Sequence, residues 1–190
     1  MFDIVQLTKA YTEPHRHYHT LEHITNMFMV ASEYNVALTT SQTLAIWWHD
    51  FVYDPKSKTN EADSADYMMA YIGKHYRPIF TVKRIILDTI THVSSFDESK
   101  VVLDLDLCGL GSDWDTFQHN TNMIRKEFSH LSNVEWMQGR LNWISAFVTR
   151  PRIFYTDWAH EAFDEAARSN LTNEYLGIQE TLASPLKEST

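Results

Sequence analysis

The stretch VVLDLDLCGLG, Val101–Gly111, decides the fold, because no other stretch argues for a sheet. Its alternation of leucine and aspartate has the two-residue period of a β-strand, so locally it reads as one. A single short strand has nothing to pair with, and the rest of the chain carries a helical period. Working outward, Leu21, Ile24, Met27, Phe28, Ala31 and Tyr34 recur at helical spacing, as do Leu44, Trp47, Trp48 and Phe51. The run NEADSADYMMAYIGKHY (60–76) opens with acids, which favour a helix N-terminus, and Arg77-Pro78 is expected to end it. Val82, Ile85, Ile86, Thr89 and Ile90 predict a short helix. Three more follow over Trp114–Leu131, Val134–Thr149 and Asp157 to about Gln179. Five glycines and five prolines are too few for a many-turned β protein. The expectation is a single-domain all-α bundle over residues 1–183, with a frayed tail over 184–190, and one strand-like exception at its centre.

Composition narrows the function. At 190 residues, 44% of them hydrophobic, the chain is long enough for a sizeable core. No run approaches the roughly 18 apolar residues of a membrane span. The opening MFDIVQLTKAY lacks the pattern of a signal peptide. The lone Cys108 excludes an internal disulfide framework and fits a reducing cytoplasm, as a packing residue. A formal charge of −9 argues against nucleic-acid and membrane partners, which need a basic surface. It leaves open a small anionic substrate held by a metal and a few local cations.

The chemistry-bearing residues are concentrated. RHYHTLEHI (16–24) places His17, His19 and His23 at the start of a helix, with His19 and His23 four apart and therefore on one face. WWHD puts His49 and Asp50 at the end of an apolar helix, where an ionised carboxylate needs a cation or strong hydrogen bonds. Asp104 and Asp106 make the same demand from within the leucine run. On a helix these two point about 200° apart and one at most faces an ion. On a strand both share a face, and the pattern does not choose. Mixed imidazole and carboxylate donors suit a divalent ion such as Mn, Fe, Co, Zn or Mg better than a structural zinc site. There is no HExxH motif, phosphate-cradling Gly-rich loop or nucleophile elbow.

In order along the chain, RHYHTLEHI, WWHDFVYDP, NEADSA, ITHVSS and LDLDLCGLG resemble the H…HD…D signature of the HD-domain superfamily. The resemblance is to its bacterial branch of predicted metal-dependent phosphohydrolases and runs from about Tyr11 to Arg168. It implies a helical bundle with His23, His49, Asp50 and Asp106 as metal ligands. YHTLEHI is similar to a phosphodiesterase segment in which the second histidine binds metal and the first donates a proton, which implies His23 as ligand and His19 as acid. DLDLCGLG is similar to a segment that favours Asp106 over Asp104.

The implied activity is hydrolysis of a phosphate ester of a small, nucleotide-like substrate. The alternatives are a metal- and nucleotide-binding sensor without catalysis, or a di-iron oxygenase of the same superfamily. In the hydrolase, Asp50 would ligate and orient water while His19 protonates the leaving oxygen. Lys58 is then a candidate phosphate clamp and Glu61 a second acid or base. Arg16, Asp54 and His92 are candidates for contact with substrate, Arg16 with the alternative of pairing with Asp54, and His92 with that of a second metal.

Overall fold

The computed structural model describes residues 4–73 and 75–184. Its helices are α1 (Ile4–Ala10), α2 (Leu21–Glu33), α3 (Thr40–Trp48), α4 (Asn60–Ile72), α5 (Ile79–Asp88), α6 (Asp97–Leu107), α7 (Trp114–Glu127), α8 (Asn133–Val148) and α9 (Asp157–Ala183), with a 3₁₀ turn at Cys108–Gly111. No strand occurs among the described residues, and the fold is all-α. Of the tail expected over 184–190, residues 185–190 lie outside the described residues.

The strand-like stretch is helical. Val101–Leu107 closes α6, and Cys108–Gly111 continues it as the 3₁₀ turn. Alternation indicates a strand when one face is wet, but here Val102, Leu103, Asp104, Leu105 and Leu107 are all buried. A helix surrounded by other helices has no polar face to give it a 3.6-residue signature. The leucine–aspartate alternation therefore records one buried and one partly buried carboxylate with separate partners.

Two apolar clusters flank this central helix. One gathers α1 to α6 around Ile24, Met27, Ile46, Trp48, Ile85 and Val102. The other joins the end of α6 to α7, α8 and α9 through Leu107, Phe117, Ile144, Phe147, Phe154 and Leu171, and Trp158 packs against both. Local signals set the boundaries. Thr39 with Gln42 and Ser132 with Glu135 form capping boxes at the starts of α3 and α8, satisfying N–H groups that the first helical turn leaves without partners. α4 stops before the expected Arg77-Pro78, because Gly73 adopts a φ of +87° that L residues rarely reach. α9 runs past Gln179 to Ala183. α1 carries too short an apolar pattern to have been expected.

The 3₁₀ turn seats directly on α9. Asn170 Nδ2 donates to the carbonyls of Leu110 and Ser112 at 2.9 and 2.8 Å. A Cβ at Gly111 would stand 2.7 Å from Phe163 Cβ and 2.8 Å from its carbonyl oxygen. Gly111→Ala is therefore expected to destabilise the protein by about 1–3 kcal/mol, as overpacked cores do. Urea unfolding measures it, and wild-type stability in the variant would mean α9 sits less tightly than drawn.

Candidate metal centre

His23 lies in the first turn of α2, whose N-cap Thr20 accepts a hydrogen bond from the Glu22 N–H, and is buried. His49 is the C-cap of α3 and is also buried. Its Nδ1–H donates to the Ile46 carbonyl at 2.9 Å, so Nε2 is the nitrogen turned toward Asp50 and Asp106, and a bound cation would displace any proton it carries. Asp106 projects from the last turn of α6 between them. Asp106 Oδ1 is 3.0 Å from His23 Nε2 and 3.6 Å from His49 Nε2. The donor atoms of His23, His49 and Asp106 lie within 4.8 Å of one another, so this group could hold a metal ion.

The donor set fits a divalent cation on an observation independent of spacing. Nε2 of His23 and Nε2 of His49 are both buried and make no hydrogen bond. Carboxylate oxygens stand at ion-pair distance from them, Asp106 Oδ1 from His23 and Asp50 Oδ2 from His49, and two buried nitrogens with no hydrogen bond converging beside Asp106 make a ligand set of the mixed N/O kind. The electrostatics agree. Burial works against a charged His49, yet Asp50 and Asp106 outweigh it and hold its pKa well above the ordinary histidine value. Burial likewise opposes the Asp106 carboxylate, and the surrounding imidazoles reverse that, keeping it ionised. The pocket is a place that draws positive charge.

Around the three stand their supports. Asp50 Oδ2 is 3.1 Å from His49 Nε2 but lies outside the tight group of three, facing a neighbouring cavity. His92, expected near substrate or a second metal, places Nε2 2.9 Å from Asp106 Oδ2. It has a φ of +50°, and its carbonyl accepts from Arg150 and from the Tyr155 hydroxyl, which hold this uncommon conformation. Asp104 turns the other way. It accepts from the N–H groups of Tyr155 and Thr156 at 2.7 Å each and from the Thr156 hydroxyl at 2.6 Å, tying α6 to the start of α9.

The cavity reached through Asp50 has a volume of about 530 Å³. His19, Lys58 and Glu61 also line it. Glu61 is half-buried, and burial together with Asp50 raises its carboxyl pKa. Arg16 does not reach the cavity, nor does it pair with Asp54. Its buried guanidinium is consumed by Glu13 and by the carbonyls of His19, Asp50 and Phe51, so it braces the histidine loop against the end of α3. Asp54 is exposed and accepts from the Lys56 N–H, shaping the 54–60 turn. Cys108 is buried, and that burial pushes its thiol up to about 12, in keeping with a packing residue.

Sequence reasoning missed Glu127, the last residue of α7. Its Oε1 accepts the N–H groups of His17, Tyr18 and His19 at 2.7, 2.8 and 3.0 Å. Its Oε2 accepts from His19 Nδ1 and from the Tyr53 hydroxyl, both at 2.7 Å. Burial alone would raise its pKa, but the His19 bond and the other donors bring it down to about 2. One carboxylate thus shapes the whole histidine loop and leaves His19 Nε2 free of this bond. The available signal was an acid in the last turn of a helix, where the macrodipole disfavours it.

No protein-family model, curated protein or solved structure matches the chain. Among the described residues no helix is long and apolar enough to cross a membrane.

The purified protein is expected to carry about one divalent ion per chain, lost in His49→Ala and Asp106→Ala by elemental analysis. Asp104→Ala should retain the ion yet lose roughly 3 kcal/mol or more of stability, because it strands buried backbone donors. Loss of metal in Asp104→Ala, with Asp106→Ala still loaded, would reverse the roles drawn from α6.

Proposed function

We propose that the protein is a metal-dependent phosphohydrolase acting on a phosphate ester of a small, nucleotide-like molecule, with His23, His49 and Asp106 holding the metal and Asp50 completing its site. The observation that carries this is the position of Asp50, shared between the His49 imidazole and a cavity that also presents His19 and Lys58. The order of the sequence motifs, which resembles that of HD phosphohydrolases, supports the same reading. A bound divalent ion would polarise a phosphoryl oxygen and lower the pKa of water.

The chain's own residues supply the rest. Asp50 remains ionised although buried, because the neighbouring His49 and His19 outweigh the cost of desolvation. It is placed to accept a hydrogen bond from the attacking water and hold it in line. Lys58 meets phosphate oxygens as a point charge, and Glu61 is a second group able to exchange a proton. His19 faces the leaving group. Burial disfavours its charged form, but Asp50 and the Glu127 hydrogen bond raise its pKa above the ordinary value, so a proton is at hand for the departing oxygen.

His19→Ala is expected to keep its metal and lose about 10²–10⁴-fold in kcat. The loss should shrink for aryl phosphate esters, whose oxygens depart without protonation. An equal loss on all esters would point to a packing defect, and loss of the metal would make His19 a ligand. Glu127→Gln tests the support of the acid. Removing its charge lowers the His19 pKa, because the carboxylate stabilises the imidazolium. The shift is read by NMR titration and should accompany a fall in kcat with metal content unchanged. An unmoved His19 pKa would confine Glu127 to shaping the loop.

A further inference from the structure

One part of the cavity wall is built differently from the part that carries Asp50. It comes from α7 with its C-cap residue and from α8: Ile124 and Phe128 from the first, Trp136, Gly139 and Trp143 from the second. Positions 136, 139 and 143 share one helix face, so the two indoles flank the glycine along it. Gly139 sits in the interior of α8, where glycine weakens a helix relative to alanine. Nothing in the protein requires it there, since an added Cβ would meet no atom within 4 Å. The space above it opens into the cavity.

Charge is as informative as shape. Two basic side chains other than histidine line the cavity, Lys58 and Arg140. Arg140 is buried, grips Glu174 through two hydrogen bonds at 2.9 and 3.0 Å, and stacks on Trp143 at 4.4 Å. Its charge is therefore already neutralised. Lys58 has no carboxylate partner among the described residues, and Asp50 and Glu61 stand near it on the same lining. A chain of phosphates would meet one free cation and two acids.

The geometry points to a monophosphate ester whose alcohol carries a planar, uncharged ring, with the ring lying over Gly139 between Trp136 and Trp143, which are themselves backed by Phe128 and Arg140. This rests on the phosphoester reading above, and deepens it by giving each part of the cavity wall its portion of the substrate. Trp136 and Trp143 are then specificity residues, and the glycine is the place kept clear for the ring. Stacking on an indole face is tolerant of ring identity, so the slot selects for flatness rather than for one base.

The test is a binding and turnover panel on the full chain loaded with manganese(II). Two ring-bearing monophosphates, adenosine monophosphate and p-nitrophenyl phosphate, are compared with ring-less glycerol phosphate and with adenosine triphosphate. Both ring-bearing esters should bind at least about tenfold more tightly than glycerol phosphate, and adenosine monophosphate more tightly than the triphosphate. Gly139→Leu fills the slot from an open helix position, so most of that advantage should vanish while the melting temperature does not fall. Trp143→Ala should act in the same direction, and if it fails to fold, Gly139→Leu decides alone. Failure of both ring-bearing esters to outbind glycerol phosphate overturns the proposal. So does an advantage that survives Gly139→Leu, or a triphosphate bound as tightly as the monophosphate. Phosphate release separates this from the hydrolase reading. Selective binding without hydrolysis leaves the ring slot and removes the hydrolase, whereas equal hydrolysis of ring-bearing and ring-less esters does the reverse.

Discussion

Two carboxylates on opposite sides of one apolar helix, Asp104 buried and Asp106 partly so, have to be satisfied, and the answer given to each side organises the molecule. Ionised groups in such surroundings are tolerable only with strong donors or a cation. Asp104 is answered by the backbone and hydroxyl at the start of α9, which locks the C-terminal helix onto α6. Asp106 is answered by histidines delivered from α2, from the end of α3 and from the turn after α5. The first answer uses fixed protein donors and is complete. The second leaves two imidazole nitrogens without hydrogen bonds, and that incompleteness distinguishes a site from a strut.

A second carboxylate does for the loop what Asp104 does for the helix. Residues 11–20 contain no helix, and their backbone groups need partners that secondary structure does not provide. Glu127 supplies them from α7, taking three consecutive N–H groups on one oxygen and the His19 ring on the other. Arg16 completes the brace by donating to the carbonyls of Asp50 and Phe51 just past α3, so the loop is tied to the segment that carries His49 and Asp50. His19 and the end of α3 are held relative to each other by ionic hydrogen bonds, which are shorter and stronger than neutral ones.

Much of this was legible in the sequence, and the rest was hidden for physical reasons. The helices with one wet face, such as α2 and α7, were read from their period. α6 was not, because a helix buried on most sides loses the contrast on which periodicity depends. His23, His49 and Asp106 could be picked out as charged or ligating groups in apolar surroundings. Asp104 carried the same mark; the pattern of the residues did not choose between the two, the resemblance of DLDLCGLG favoured Asp106, and the helix sets the aspartates on opposite sides with different partners. Glu127 lies 108 residues from the histidine it holds. Its role is a tertiary one, and local pattern had no means of pairing the two. Arg16 was recognised as important, but its saturation by backbone carbonyls could not be foreseen from its neighbours.

The overall charge adds a constraint on the order of events. A chain of net charge −9, with Asp50 and Glu61 on the cavity lining and Asp106 behind them, repels an anion from the place where it would react. Lys58 alone does not offset this, and Arg140 is already spent on Glu174. On the proposed reading, attraction for a phosphate therefore arises only once the His23, His49 and Asp106 group has taken up a cation. The same carboxylates that exclude the substrate from the bare site recruit the ion that admits it. Binding is then ordered, with metal before ester, by electrostatics.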